Sequence, residues 1–484
     1  MIVRSKEYLY FEDGAINLSL VKSCIQQHEQ MNLPTILKNK AYYANEQDIM
    51  TRTKAKGKAN NKLAHAYPYY ITTIASGYLL GSPVKYTAAE RQDALEALLD
   101  AYEKADVDSI DTELARDASV CGKGVELLFS DEQTTLMSST LNPATAFVVY
   151  DDTVRARPMF AVYYYPHLDI DGNQDSYRVH VYTDRMHYEY KAADISAIPS
   201  AERIVSEEHW FGEVPVIEYW NNEDEMGDFA RVITLIDTYN TLQSDRVNDK
   251  EQFADAILVI WGCMMQDETD SEGNTIRTPA QQLREDRMLF LPDKDAGAQH
   301  LANTMSDSDT EVLKDSISAD IHKLSLVPDL TDENFAANAS GVAMKYKLFG
   351  LEQLTKIKER WFKEGLKTRL KCCANWLGKK GNASLDVSDV EITMTRALPA
   401  NELEISQMVA NLKDIVPDEI LLGQIPFVKD AVQALEMLKK QKENETERQK
   451  QAFEVPFRIG ENTRDSAKYR GDVAEDLEDG GGEK

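Results

Sequence analysis

The chain has 484 residues, 43% of them apolar, with 82 acidic against 54 basic side chains and a formal net charge of −28. This length predicts two to four domains or sub-domains rather than one compact core. The acid excess argues against a protein that grips nucleic acid through its phosphates, because such a protein needs a basic surface. A surface this acidic repels DNA, so a DNA partner would have to be one that slides past.

The cysteines are scattered and show no CxxC pairing, which predicts reduced thiols in or near cores. They are Cys24, Cys121, Cys263, Cys372 and Cys373. The N-terminus lacks the apolar segment of a signal peptide, and no stretch of about 18 uncharged apolar residues occurs. We therefore expect neither secretion nor a membrane-spanning helix.

The N-terminal part is predicted to be helical with interruptions. Residues 15–50 carry apolar side chains at helical spacing with a break at Pro34, and a second helix is predicted from about Pro68 to Leu80. Between them, KAKGKANNK forms a basic cluster, which is either a solvated loop or a contact to a nucleic acid or an acidic neighbour. A strongly helical stretch then divides into two helices near Asp106.

From Val125 to Trp220 the apolar pattern changes to period two, which predicts an antiparallel β region. The predicted strands are VELLFS, TTLMSS, AFVVYD, MFAVYYYP, SYRVHVYT, MHYEYK and VPVIEYWN. The turn DIDGNQD alternates acidic residues as a calcium loop does. Counted from Asp169 as a calcium loop, the glycine stands fourth instead of sixth, and the twelfth position is His180 instead of glutamate. A hairpin turn is therefore favoured. His180 and His187 are interpreted as ordinary strand histidines, because no carboxylate or cysteine lies at ligand spacing.

The stretch from Phe229 to Gly350 predicts two helices that return past each other, with a small β excursion between them. The first helix has an apolar stripe, and its opposite face carries Asp237, Asp245 and Asp249. Its later half is polar nearly all round. Such a helix needs polar neighbours or contact with water on one side.

The excursion contains two β-like segments, ILVIWG and RMLFLP, and the second helix is predicted over Asp309 to Leu326. A polar loop from Asp329 to Ala339 leads to a third helix, capped by Ser340 and predicted to run to Leu377. A strand in DVSDVEITMTRALP and a small helical set follow. The acidic, glycine-rich end of the chain, from about Gly460, is predicted to be disordered.

No motif for catalysis is present. GxxxxGK[ST], GxGxxG, GxSxG and HExxH are absent, and so is a cysteine–histidine metal spacing. Paired carboxylates occur throughout so acidic a chain and therefore carry no information about acid–base catalysis. We predict no catalytic residue, no metal and no cofactor, and we do not expect an enzyme.

Several strings along the chain match a known family. They are YYANEQDI, NKLAHAYPYYITTIASGYLLGSPVKY, VPVIEYWNNEDEMGDFARVITLIDTYNTLQSDRVNDKEQFADAILVIWG, ASGVAMKYKLFGLE and DVEITMTRALPANELE. In these strings the chain resembles the portal proteins of tailed double-stranded DNA bacteriophages, especially those with long non-contractile tails. The resemblance covers about residues 40–440 and is most specific from Pro215 to Gly262.

The resemblance implies a ring of about twelve identical subunits at one capsid vertex, around a channel through which genomic DNA is packaged, retained and ejected. The implied partners are double-stranded DNA, the terminase large subunit, head-completion and adaptor proteins, the scaffold and the major capsid protein, with no membrane. The protein would belong to the virion and occupy the host cytoplasm during assembly.

The resemblance also implies an α+β subunit with the parts of a portal protein. These are a wing (1–227), stem helix 1 (228–256), a clip (257–308), stem helix 2 (309–328), a tunnel loop (329–340), a long wing helix with a returning strand (341–399), a helical crown (400–450) and an acidic, disordered tail (451–484).

The tunnel loop and the helix after it would then face the channel and present a short polar collar to DNA. The residues expected there are Asn334, Phe335, Asn338, Ser340, Lys345 and Lys347. The two lysines would make weak, salt-sensitive phosphate contacts. The alternative is that they pair with carboxylates of neighbouring subunits.

Two further groups of residues follow from the resemblance. Asp237, Asp245 and Asp249 would line either the channel or a subunit interface. The clip residues would contact the motor or the adaptor proteins, and for two of them, Trp261 and Arg277, contact with each other is the alternative. The clip residues are Trp261, Arg277, Arg284 and Arg287.

Other classes of protein fit the sequence less well. A membrane pore or toxin would need an amphipathic insertion hairpin, whereas ILVIWG and MLF are short and flanked by charges. A scaffold, or another acidic capsid-associated structural protein without a DNA channel, would lack the β-rich region at 125–220.

Overall fold

The computed structural model describes most of the chain. The described residues are 1–11, 14–56, 58–88, 92–254, 257–261, 267–273, 275–278, 281, 297–301, 307–331, 341–381, 385–396, 402–413, 415–423, 425, 428 and 431–453. They belong to two compact units, Met1–Leu398 and Pro399–Lys484. The first unit mixes helices and mostly antiparallel sheets, in agreement with the predicted α+β class.

Within the described residues, the strands of the first unit form five sheets. Their bounds are β1 Ile2–Arg4, β2 Lys85–Ala88, β3 Lys123–Ser130, β4 Leu136–Leu141, β5 Ala146–Asp151, β6 Pro158–Leu168, β7 Gln174–Tyr182, β8 Met186–Ala192, β9 Glu202–Glu208, β10 Val216–Trp220, β11 Ile257–Trp261, β12 Glu268–Thr269, β13 Thr275–Arg277, β14 Gly297–Leu301 and β15 Val390–Thr393.

The largest sheet has six strands in the order β1-β5-β6-β7-β8-β9. Alternate residues of its central strands point to one face and pack against the first helix of the chain, with Phe160, Val179 and Cys24 in a common core. Its neighbours pair antiparallel except β1, which runs parallel to β5. The seven strands predicted from period-two alternation are all present, whereas β1 and β9 were not predicted.

The helices of both units are bounded as follows: α1 Leu18–Gln27, α2 Leu33–Tyr43, α3 Tyr67–Leu79, α4 Gln92–Lys104, α5 Val107–Cys121, α6 Ile233–Ala254, α7 Asp307–Ser325, α8 Gly341–Lys347, α9 Phe349–Lys379, α10 Glu402–Leu412, α11 Asp418–Leu422 and α12 Ala431–Phe453. The last three form the second unit, where a small helical set was predicted.

Helix boundaries agree closely with the sequence in two places. A π-turn at His28–Asn32 precedes Pro34, which lies in the first turn of α2. Asp106 separates α4 from α5 with a left-handed backbone (φ 51°). In contrast, the predicted third helix is not continuous, because Leu348 interrupts it between α8 and the 31-residue α9.

A smaller sheet, β10-β3-β4, packs against α5 and α9. Gly365 of α9 lies so close to this sheet that a Cβ atom there would come within 2.5 Å of the Tyr219 ring. A residue without a side chain is therefore required at this crossing. A two-stranded sheet of β2 and β15 completes the same core, pairing Tyr86 with Ile392.

Buried ion pairs connect α9 to this core. Arg369 is completely buried and lies 2.9 Å from Glu126 of β3 and 2.6 Å from Asp111 of α5. Burial raises the pKa of Asp111 to about 6, although the Arg369 charge opposes the shift. Lys358 of α9 pairs with buried Asp228, which lies just before α6. These charges were not predicted from the sequence, and each would be costly to bury alone.

Candidate functional site

The helices α6 and α7 form the core of the stretch that carries the predicted functional residues. Their apolar faces share one core, in which Ile236 of α6 and Ile321 of α7 are completely buried. Arg246, late in α6, lies 2.7 Å from Glu311, early in α7, so the two helices run antiparallel. We call α6 and α7 the helix pair.

The polar face of α6 is covered by a segment of the same chain that is neither helix nor strand. We call its described residues, 52–56 and 58–65, the strap. Backbone amides of the strap donate to side-chain oxygens on one stripe of α6. Asn61 N donates to Asn248 Oδ1 (2.6 Å), Leu63 N to Ser244 Oγ (2.9 Å) and His65 N to Asn240 Oδ1 (2.9 Å). The acceptors Asn240, Ser244 and Asn248 are buried and spaced by four residues, so they replace the partner strand that the strap would otherwise need.

Two of the three predicted stem carboxylates have partners within the subunit. Asp237 accepts a 2.7 Å hydrogen bond from the Tyr42 hydroxyl. Asp245 binds Arg52 and accepts a 2.9 Å bond from Lys54, both in the strap. Partial burial would raise the pKa of Asp245, but the bonds from Lys54 and Arg52 hold it below its ordinary value.

The third carboxylate, Asp249, is exposed. In the predicted basic cluster, Lys54 contacts an acidic neighbour within the chain, Asp245, while Lys56 and Lys58 are exposed. The assignment of the three carboxylates to a channel wall or an interface stays a prediction.

The segment that leaves α7 is anchored where the predicted tunnel loop begins. The Tyr70 hydroxyl of α3 donates to the Pro328 carbonyl (2.9 Å) and accepts from the Leu330 amide (2.9 Å). His322 Nδ1 lies 3.0 Å from the Val327 carbonyl, to which it donates as the Nδ1–H tautomer. Both contacts come from structured helices, so the start of the loop has a fixed position.

Most of the predicted collar lies outside the described residues: Asn334, Phe335, Asn338 and Ser340. Lys345 and Lys347 lie on the short helix α8, and both are exposed, as is Tyr346 between them. The structure thus places both lysines on the solvent side of the subunit, within the first turns after the loop.

The predicted clip contains two small antiparallel pairs, β11 with β14 and β12 with β13. Trp261 is half-exposed, and its ring covers Gly297 on the opposite strand, where a Cβ atom would come within 2.5 Å of the indole. Arg277 Nε donates to Glu268 Oε2 across the second pair (2.6 Å). Arg284 and Arg287 lie outside the described residues, as does the β-like segment RMLFLP. The strand β14, which pairs with β11, was not predicted.

Two histidines of the β region, His180 and His187, form a chain of hydrogen bonds with Glu207. His180 Nδ1 lies 3.1 Å from His187 Nε2, and His187 Nδ1 lies 2.8 Å from Glu207 of β9. Burial, with the nearby His187 and Arg178 charges, lowers the pKa of His180 to about 4. The sequence did not indicate the carboxylate, because β9 was not recognised as a strand.

No group of three or more histidine, cysteine or acidic side chains among the described residues has the arrangement of a metal site. None of the described helices is long and apolar enough to cross a bilayer.

Comparisons with known proteins identify the family. The model of the family described as "Phage portal protein, SPP1 Gp6-like" matches residues 22–448. The portal protein of Clostridium phage phiCD119 is 24% identical over 438 residues, which cover 82% of this chain and 90% of that protein. The portal protein of Bacillus phage SPP1 is 25% identical over 447 residues, covering 86% and 85%.

Among solved structures, a chain from the neck of an empty GTA particle, computed with C6 symmetry, covers 74% of this chain and 90% of its own length. The two chains are 14% identical, and their TM-score is 0.42. The family match extends over most of the chain and includes the helix pair, the strap and α9. The chain therefore belongs to the SPP1 Gp6-like family of phage portal proteins.

Proposed function

We propose that copies of this chain form a closed ring of about twelve subunits at one capsid vertex, through which DNA is packaged, retained and ejected. Portal proteins are structural components of the virion. The observation that carries the proposal is the family match over residues 22–448. The host cytoplasm is the expected location during assembly.

The proposed parts of the subunit keep their expected bounds: wing 1–227, stem helices 228–256 and 309–328, clip 257–308, tunnel loop 329–340, wing helix and strand 341–399, crown 400–450 and tail 451–484. Support for this division comes from the helix pair. It has β strands after the end of α6 and an anchored segment after the end of α7, an arrangement that suits a stem between two functional ends.

The charge of the subunit suits a channel through which DNA moves without sticking. Each copy contributes a formal charge of −28, and a wall with excess negative charge repels phosphates. In our proposal the collar of Asn334, Phe335, Asn338 and Ser340 surrounds the DNA. Lys345 and Lys347 then supply a few weak phosphate contacts, which their exposure on α8 permits.

The remaining proposed contacts are with proteins. The clip, with Trp261, Arg277, Arg284 and Arg287, would receive the terminase large subunit during packaging and head-completion or adaptor proteins afterwards. The half-exposed Trp261 supports this assignment, because large aromatic side chains are enriched in protein interfaces. The outer parts of the ring would contact scaffold and major capsid protein.

Electron microscopy of the purified protein tests the ring. Negatively stained particles with a central hole and about twelve-fold symmetry are expected. A protein that stays monomeric at micromolar concentration, by light scattering, would refute the proposal.

A charge reversal tests the lysine contacts. Lys345→Glu with Lys347→Glu should lower the packaging rate or genome retention, and the effect should shrink as salt is raised. The matched control is Lys85→Glu with Lys104→Glu, the same charge change at two exposed lysines of β2 and α4. Equal behaviour of both variants across the salt series would rule out a specific role for α8.

A further inference from the structure

The hairpin between β6 and β7 ends in a rigid turn that presents one apolar side chain to solvent. Ile170 is entirely exposed, with a relative accessibility of 101%. The turn around it is fixed by Asp169, whose Oδ1 accepts from the Asp171 amide (2.9 Å) and the Asn173 amide (2.8 Å). Gly172 supplies the left-handed residue of the turn (φ 79°). An apolar side chain on a pre-organised turn loses little entropy on docking.

A second unusual surface lies at the end of α9. A cavity of about 290 Å³ opens there, lined by Ser130, Thr134, Trp210, Trp376, Lys379 and Lys380. We call it the tryptophan pocket. Trp210 is half-exposed, and Lys380 stands over the Trp376 ring at 4.9 Å while donating to the Thr134 carbonyl (2.7 Å). The described lining contains two basic residues and no acidic one, although the chain has a large acid excess.

The turn and the pocket are complementary in chemistry. The turn offers an aliphatic side chain flanked by the carboxylates of Asp169 and Asp171. The pocket offers the half-exposed indole of Trp210 and the ammonium groups of Lys379 and Lys380, above the largely buried Trp376. Burial of an aliphatic side chain against an indole is favourable, and opposite charges at the rim fix orientation.

The Ile170 turn and the tryptophan pocket lie at opposite ends of the six-stranded sheet. The turn therefore cannot dock into the pocket of its own subunit. The hairpin turn precedes the start of β7, whereas Trp210 follows the end of β9, beside the turn after β7. His209 confirms this placement, because its amide donates to the Arg185 carbonyl in that turn (2.8 Å). The nine residues of β7 alone span about 30 Å.

We propose that the Ile170 turn of one copy docks into the tryptophan pocket of the next copy around the ring. A cyclic ring is built from such head-to-tail contacts, in which each subunit supplies one surface of each kind. Ile170 packs against the half-exposed Trp210 in the pocket, and Asp171 lies beside Lys379. This inference rests on the proposed ring, and it names one contact that helps to close it.

Ring assembly over a concentration series tests the contact. Because Ile170 is exposed, Ile170→Asp leaves the folded subunit intact and should raise the concentration for half-assembly by about tenfold or more. Val154→Asp is the matched control, since Val154 is equally exposed on another turn of the same sheet (106%). Unchanged assembly of Ile170→Asp, or an equal loss with Val154→Asp, would overturn the contact.

Charge exchange and cross-linking locate the contact. Asp171→Lys should weaken assembly, and adding Lys379→Asp should restore it. A photoreactive phenylalanine analogue at position 170, in rings mixed from isotopically heavy and light subunits, should cross-link to peptides containing Trp210 or Lys379 of the other label. Intact rings of the photoreactive variant whose cross-links map elsewhere would overturn the contact while the ring stands. Absence of rings in the wild-type protein would refute the proposed function itself.

Discussion

Replacing Tyr70 by phenylalanine removes one hydroxyl oxygen at the start of the proposed tunnel loop and keeps the aromatic ring of the side chain. The lost hydroxyl donates to the Pro328 carbonyl and accepts from the Leu330 amide, each at 2.9 Å. The ring still packs edge-on against His322, at 5.7 Å between centroids. The substitution therefore tests whether these two hydrogen bonds hold the segment that leaves α7.

The expected cost follows from the number and exposure of these bonds. A typical hydrogen bond contributes about 1 kcal/mol net, and water can replace the hydroxyl at the exposed Leu330 amide. Two bonds therefore contribute about 1–2 kcal/mol, which corresponds to an increase of about five- to thirtyfold in the local opening equilibrium. The free energy of global unfolding should change less, because the contacts of the aromatic ring remain.

Hydrogen exchange measured by mass spectrometry is the direct assay. Peptides covering residues 326–331 should exchange about five- to thirtyfold faster in Tyr70→Phe, whereas peptides from the six-stranded sheet should be unchanged. Tyr69→Phe is the matched control on the same helix, since Tyr69 is 53% exposed. Exchange at 326–331 that equals the wild type, or that rises equally in Tyr69→Phe, would refute the anchoring role of Tyr70.

Three further predictions concern stability. Lys358→Met leaves Asp228 buried without its cation and should lower the free energy of unfolding, measured in urea, by about 3–5 kcal/mol. Adding Asp228→Asn should restore stability. A loss under about 1 kcal/mol for Lys358→Met would contradict the cost of burying the carboxylate alone. Burial lowers the pKa of His28 to about 4, below the unfolded value, so protonation favours unfolding. Stability should fall by about 3 kcal/mol between pH 6.5 and 4, and His28→Gln should remove that part of the pH dependence; an identical pH profile would contradict it. Asn248→Ala removes the acceptor of the Asn61 amide and should cost about 1–3 kcal/mol; trypsin should then cleave the strap faster than in the wild type, and equal cleavage rates would show that Asn248 does not hold it.

The regular elements were predictable where the sequence pattern reports local geometry. Period-two alternation identified seven strands, and the predicted division of the helical stretch near Asp106 separated α4 from α5. Strand β9 was missed because nearly all of its residues are exposed on the sheet edge, so no burial alternation marks it. The break at Leu348 was missed because the surrounding residues favour helix on both sides.

The site depended on contacts that join distant parts of the chain. The sequence indicated correctly that the polar half of α6 needs polar neighbours. It could not name them, since the strap lies about 180 residues earlier and has no regular pattern. For the same reason the sequence did not indicate that Arg52 and Lys54 bind Asp245, although Lys54 lies in the predicted basic cluster and Arg52 just before it.

The pairing of β2 with β15 sets the order of events during synthesis. Strand β2 is made early, and its partner emerges about 300 residues later, which takes about 15–60 s at ordinary translation rates. During this interval Tyr86 and Leu98 have neither the strand nor α9 to cover them. A nascent chain therefore exposes an unpaired strand edge and an open core, the conditions that favour aggregation. Lower growth temperatures or added chaperones should raise the yield of soluble protein, and any truncation before Thr393 should lower it.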